Sequence, residues 1–147
     1  MVWLELILTA ALVAAADQIS KAVVLARWPL ASTVIAPRAF VSIRCQLNRQ
    51  GALAALVGVP ALAALWAGLV LLTVLTLRYG LLGHEAFASI GLGAMVGGAT
   101  GNVLDRLRRG AVVDFVAIGP WPVFNLADAA LVAGTGLILL AALDGNA

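Results

Sequence analysis

The chain has 147 residues, of which 63% are hydrophobic and 11% charged, with a net charge of +2 and a mean hydropathy of +1.08. Soluble domains are about 45–50% apolar and about 25% charged, so a water-soluble fold is excluded and an integral membrane protein is indicated. So small a net charge carries no nucleic-acid signature, and no nucleic-acid partner is expected.

A membrane-spanning helix takes about 20 mostly apolar residues. Four stretches qualify, at about 4–25, 58–78, 86–105 and 124–143, within a single membrane-embedded domain over 1–147. The first lacks a basic leader and carries Glu5. It is expected to stay as a helix rather than leave as a signal peptide. In its "DQISK", Asp17 and Lys21 stand four residues apart with the acid first, the spacing of a mutually neutralising pair that Gln18 can extend.

Between the first two helices, about 38–48, "RAFVSIRCQLN" alternates apolar Ala39, Val41, Ile43, Cys45 and Leu47 with mostly polar neighbours. Period two predicts a strand. Open sheet edges are not tolerated against lipid, so a small sheet at the membrane surface is expected. Cys45, the lone cysteine, reads as apolar filler, and the lone histidine, His84, as a loop residue. Metal-site and Cys/His chemistry then lack parts, and no metal or cofactor is expected.

The second helix opens with Pro60 in its first turn. The third carries Gly93, Gly97 and Gly101 at every fourth position, a smooth face for close helix packing. It ends in "GNVLDRLRRGAVVDF", where Asp105 and Arg106 are expected to pair or organise the helix end. Arg108 and Arg109 are expected to face water or headgroups. The fourth opens with "FNLADAAL", in which Asn125 precedes Asp128 by three residues, one helical turn.

A mid-bilayer charge costs about 2.5–3.5 kcal/mol on insertion scales, so each intramembrane aspartate needs a reason. Lys21 and Arg106 account for Asp17 and Asp105. Asp114 and Asp128 have no such neighbour, and "VAIGPWPV" between them holds the Gly119, Pro120 and Pro122 needed to turn the chain and bring them together. Two facing carboxylates in a poorly solvated place share a proton, the arrangement of aspartic proteases. Two intramembrane aspartates equally suit a proton or cation path, and pattern alone leaves hydrolase and transporter open.

These motifs together resemble the bacterial lipoprotein signal peptidases, the type II signal peptidases. The resemblance runs over nearly the whole chain through "DQISK", "GNVLDRLRRGAVVDF" and "FNLADAAL" in order. It implies an all-α integral membrane protein, a four-transmembrane-helix bundle with a small extracytoplasmic β-sheet between helices one and two. It implies an aspartic endopeptidase that removes the signal peptide of diacylglyceryl-modified prolipoproteins, cutting before the lipidated cysteine. Asp114 and Asp128 fall on the catalytic positions. Asn102, Asn125, Asp105, Arg106, Asp17 and Lys21 fall on the supporting ones. Implied partners are lipid-modified prolipoprotein signal peptides, membrane lipids and globomycin-type inhibitors, with the site facing outward from the bacterial cytoplasmic membrane.

The family's second motif, roughly Asn-x-Gly-Ala-Ala-Phe, is altered here to "NRQGALA". Aligned on Asn48, which becomes the substrate-facing candidate, the glycine is Gln50 and the aromatic Leu53; aligned on Gly51, Arg49 takes the asparagine position and Ala54 the aromatic one. This change keeps open a further reading, a catalytically silent relative that binds lipoproteins, against which both aspartates and Asn125 are intact. Charge points against the implied orientation: the outer segments would hold Arg27, Arg38, Arg44, Arg49, Arg106, Arg108 and Arg109, and the inner hairpin Arg78. The positive-inside rule by itself would invert the protein.

Overall fold

A computed structural model describes residues 1–28, 33–34, 40–49, 54–82 and 85–144. Helices α1 (Val2–Arg27), α2 (Ala54–Tyr79), α3 (Glu85–Arg109) and α4 (Leu126–Asp144) are joined by strands β1 (Thr33–Val34), β2 (Val41–Asn48) and β3 (Val112–Ile118). Each helix is long and apolar enough to cross a membrane. Large apolar side chains such as Leu12, Ile19, Leu72 and Val132 are more than half exposed on the helix surfaces. That distribution suits lipid rather than water.

α3 is the central helix: half of its membrane-length window is buried, against 11% or 17% in the other three. Its composition allows this. A Cβ on Gly93 or Gly97 would meet the Leu6 or Ala10 carbonyl of α1 at 2.7 or 2.5 Å. The expected glycine stripe therefore does pack against α1. A second stripe, Gly91 and Gly98, meets Gly134 and Ala127 of α4 in the same way.

Several boundaries differ from the sequence reading. α2 begins at Ala54, so Pro60 lies inside it rather than in its first turn, where its missing N–H removes one helical hydrogen bond. α3 runs to Arg109 and stops at Gly110, whose φ of +68° only glycine adopts freely, with its N–H bonded to the Arg106 carbonyl at 3.0 Å. α4 starts at Leu126, after an N-terminal cap described below.

The sheet is antiparallel in the order β1-β2-β3, so it is not confined to the link between α1 and α2. Its third strand, "VVDFVAI", follows α3 and carries Asp114. Asp114 is thus a strand residue, not the end of a helix. The strand is signalled by its β-branched run between Gly110 and Gly119, a pattern obscured by the helix motif before it.

The alternation expected in β2 is also broken. Ser42 and Cys45, three apart, are its buried residues, because the β2–β3 register slips between Ile43 and Gln46. Two residues of β2, Arg44 and Cys45, there oppose the single Phe115, a bulge. Cys45 does serve as apolar filler, packed with Val24 of α1 and Phe115, where burial raises its thiol pKa. This small core docks the sheet on the end of α1. Ala39, Gln50, Leu53 and His84 lie outside the described residues.

Candidate active site

Two buried layers build the site where the helices meet the sheet. The first is an ion-pair hub. Lys21 Nζ lies 2.8 Å from Asp17 Oδ2 and 2.9 Å from Asp105 Oδ2, with all three side chains wholly buried. Arg109 pairs with Asp105 one turn away. The Val113 N–H (3.2 Å) and Gln18 Nε2 (3.3 Å) also donate to Asp105. Asp17 Oδ1 accepts the Ala127 N–H at 3.0 Å, satisfying a donor that the start of α4 leaves open.

The expected Asp17–Lys21 pair is thus present and Gln18 joins it, but Asp105 does not pair with Arg106. Side chains four apart share a helix face while neighbours diverge, so Arg109 takes that place and does not simply face water. Arg106 instead reaches the Arg49 carbonyl at 3.5 Å. Arg108 meets Gln18 Oε1 at 3.2 Å.

The second layer holds Asp114 and Asp128. Phe124 exchanges hydrogen bonds with Val116 (2.8 and 2.9 Å), closing the turn after β3. That closure delivers Asn125 beside Asp114. Asn125 then caps α4: its Oδ1 accepts the Asp128 N–H at 2.9 Å, and Asp128 Oδ2 accepts the Asn125 N–H at 3.2 Å. This is a reciprocal capping box, and it explains why α4 begins at Leu126. The side-chain amide of Asn125, which the sequence places one helical turn before Asp128, points to Asp114 Oδ1 at 2.8 Å.

Asn48 Nδ2 donates to Asp114 Oδ2 at 2.9 Å. The bulge makes this possible. Beyond it Gln46 pairs with Asp114, which puts Gln46 and Asn48 on Asp114's face of the sheet. An unbroken register from Ile43–Val116 would turn Asn48 to the other face. Asn102 Nδ2 completes the set, donating to Asp128 Oδ1 at 2.9 Å.

The four aspartates therefore fall into two kinds. Among the described residues, Asp17 and Asp105 make salt bridges. Asp114 and Asp128 are held by neutral amides from Asn48, Asn102 and Asn125. Burial, with the Asp128 charge adding to it, raises the Asp114 carboxyl pKa against the pull of the two asparagine donors and Lys21. Such a carboxyl holds its proton above the ordinary range, so the pair can present an acid and a base together.

Both carboxylates line one cavity of about 370 Å³. Asn48, Asn102 and Arg106 line its polar end, and Leu62, Leu65, Trp66 and Leu69 of α2 form an apolar wall. Sequence reasoning missed that wall. Its one available signal is Trp66, whose indole N–H needs a partner inside a membrane span and finds Thr100 Oγ1 on α3 at 2.9 Å.

The signal peptidase (SPase) II family model matches residues 9–144. The chain belongs to this family. A lipoprotein signal peptidase of Rhodococcus jostii is 35% identical over 97% of this chain and 74% of its own length. One from Pelotomaculum thermopropionicum is 55% identical over 38% of this chain and 37% of its own. A bacterial membrane enzyme solved in meso at 2.3 Å shares the fold, with TM-score 0.80 at 24% identity, covering 97% of this chain and 89% of that one. A second, solved in meso at 1.9 Å, gives TM-score 0.70 at 26% identity, covering 92% of this chain and 90% of that one. With its four apolar helices, this signal peptidase II family member is a multi-pass membrane protein.

Proposed function

We propose that this protein is an aspartic endopeptidase, one membrane-embedded domain, that removes the signal peptide of diacylglyceryl-modified prolipoproteins by cutting before the lipidated cysteine. The observation that carries the reading is the Asp114–Asp128 pair. The two side chains come from different elements, line one cavity and, among the described residues, carry no salt bridge. Aspartates kept only for stability would be paired, as Asp17 and Asp105 are.

In the reaction, Asp128 as carboxylate takes a proton from water as the oxygen attacks the scissile carbonyl carbon. Asp114, whose proton burial retains, protonates the carbonyl oxygen. Collapse of the tetrahedral intermediate returns a proton to the departing nitrogen, so the two groups exchange roles between steps. Asn48, Asn102 and Asn125 keep donors on the carboxylates, and Arg106 lines the cavity rim as a substrate contact. The apolar wall of α2 suits a substrate that stays in the membrane. Each acyl CH₂ drawn out of lipid would cost about 0.8 kcal/mol, so cutting in place avoids a large penalty. The cytoplasmic membrane, with the sheet side outward, is the location this substrate requires.

The test compares wild type with Asp114→Asn and Asp128→Asn in bilayers on a diacylglyceryl-modified prolipoprotein. Cleavage before the modified cysteine, reduced at least about 1000-fold in each folded variant, is expected. A folded wild type that leaves the precursor intact sinks the reading, and ion flux across the same bilayers would then identify a transporter.

A further inference from the structure

Lys21 has one contact more than charge balance requires. Asp17 and Asp105 already neutralise it, yet Nζ also donates to Asn102 Oδ1 at 3.1 Å. The same amide turns its Nδ2 to Asp128 Oδ1 at 2.9 Å. An ammonium has three donors and no acceptor. It therefore permits a single orientation of this amide, carbonyl toward Lys21 and NH₂ toward Asp128. Asn125 donates to that same carbonyl at 3.2 Å and to Asp114 at 2.8 Å. Asn102 and Asn125, two of the three asparagines that reach the α4 and β3 carboxylates, are thus keyed to one buried cation on α1.

We propose that Lys21 is a positioning residue of the cleavage reaction, acting through the Asn102 amide to keep a hydrogen-bond donor aimed at the Asp128 carboxylate. The proposal rests on the peptidase reading above and gives Lys21 a part in it beyond ion pairing. Among the described residues, the charged and titratable groups around this network are Asp17 on α1, Asp105 and Arg109 on α3, Asp114 on β3 and Asp128 on α4, with Arg106 of α3 lining the same cavity. Asn102 links the first three to the last two. Without the ammonium, only the 3.2 Å bond from Asn125 among the described residues still holds that carbonyl, and the amide turns it toward Asp128 more readily. A protonated carboxyl accepts that neighbour and a carboxylate does not, so the acidic limb of the pH–rate profile moves to higher pH.

Lys21→Met alone would strand the buried Asp17 carboxylate and leave Asp105 with Arg109 alone, so the test uses charge-balanced pairs. Lys21→Met with Asp17→Asn removes the donor that position 21 gives Asn102. Lys21→Gln with Asp17→Asn has the same charge and similar bulk but supplies an amide N–H. Asn at 17 still offers an oxygen to the Ala127 N–H. Wild type, both pairs and Ser89→Ala are assayed on the lipidated precursor with Tm, kcat, KM and pH profiles. Ser89→Ala is a stability control, because that hydroxyl bonds Glu5 at 2.6 Å away from the site.

The Met pair should fold, lose about 100-fold in kcat with KM little changed, and show its acidic limb about one pH unit higher. The Gln pair should recover most of both, and Ser89→Ala should lower Tm without moving the profile. Equal kcat and profile in the Met and Gln pairs overturns the proposal, as does failure of both to fold, which would leave Lys21 a structural role alone. A wild type that does not cleave removes the peptidase reading, and this proposal with it. A cleaving wild type with equal pairs removes the Lys21 proposal alone.

Discussion

At the scale of single residues, what surrounds each aspartate decides its use. Asp17 and Asp105 touch Lys21, while Asp114 and Asp128 are held by neutral amide donors. Burial raises the Asp114 carboxyl pKa above its unfolded value. The folded state thus binds this proton more tightly than the unfolded chain does. That contribution is full at pH below the unfolded value near 3.8 and is lost as pH rises through the raised one. Asp114→Asn has no such proton, so its Tm relative to wild type should improve between pH 4 and pH 8. A flat difference across that range would contradict the buried-carboxyl account. Asn48 donates to Asp114 and holds its pKa down. Asn48→Ala should therefore raise it further and cut kcat by about 10- to 100-fold, read from a pH–rate profile whose alkaline limb, set by the general acid, moves upward.

At the scale of elements, α3 works because glycine lets two neighbours approach it. A Cβ on Gly101 would collide with the Asp17 carboxylate, where the helix contact and the ion-pair hub coincide. Gly101→Ala should cost about 1–3 kcal/mol through overpacking and lower activity with it. Gly136→Ala meets open space and should be neutral or slightly stabilising. Thermal unfolding of the two variants in one detergent compares them directly. Gly110 is needed for another reason: its φ of +68° ends α3 and releases the chain into β3. The bulge in β2 has comparable weight, since the face that Asn48 occupies depends on it.

At the scale of the molecule, the Asp105 hub joins α1, α3 and the start of β3 through Lys21, Arg109, Gln18 and the Val113 N–H. Asp105→Ala leaves a buried ammonium short of one counter-charge. The expected loss is about 3–5 kcal/mol, measured as a collapse of Tm in detergent; a shift of only a degree or two would show the hub to be dispensable. The hub also bears on orientation. Arg109 is bound to Asp105, Arg108 to Gln18 and Arg106 to the Arg49 carbonyl. Cations engaged by the fold are poor guides to topology, because the positive-inside rule concerns basic residues in short flanking loops.

The sequence by itself determined the membrane environment, the four helices and the residues worth suspecting, because hydropathy, helical length and glycine spacing are local properties of the chain. Asp17 with Lys21 was legible for the same reason, as both sit on one turn of one helix. What only the tertiary structure decided are the partners made across elements. Asp105 takes Lys21 and Arg109 instead of Arg106, Asp114 stands on a strand, and Asn125 divides itself between capping α4 and holding Asp114. A single bulged residue sets which face of β2 carries Asn48. Local pattern cannot encode such a slip, because it is fixed by how β2, β3 and the end of α1 share one small core.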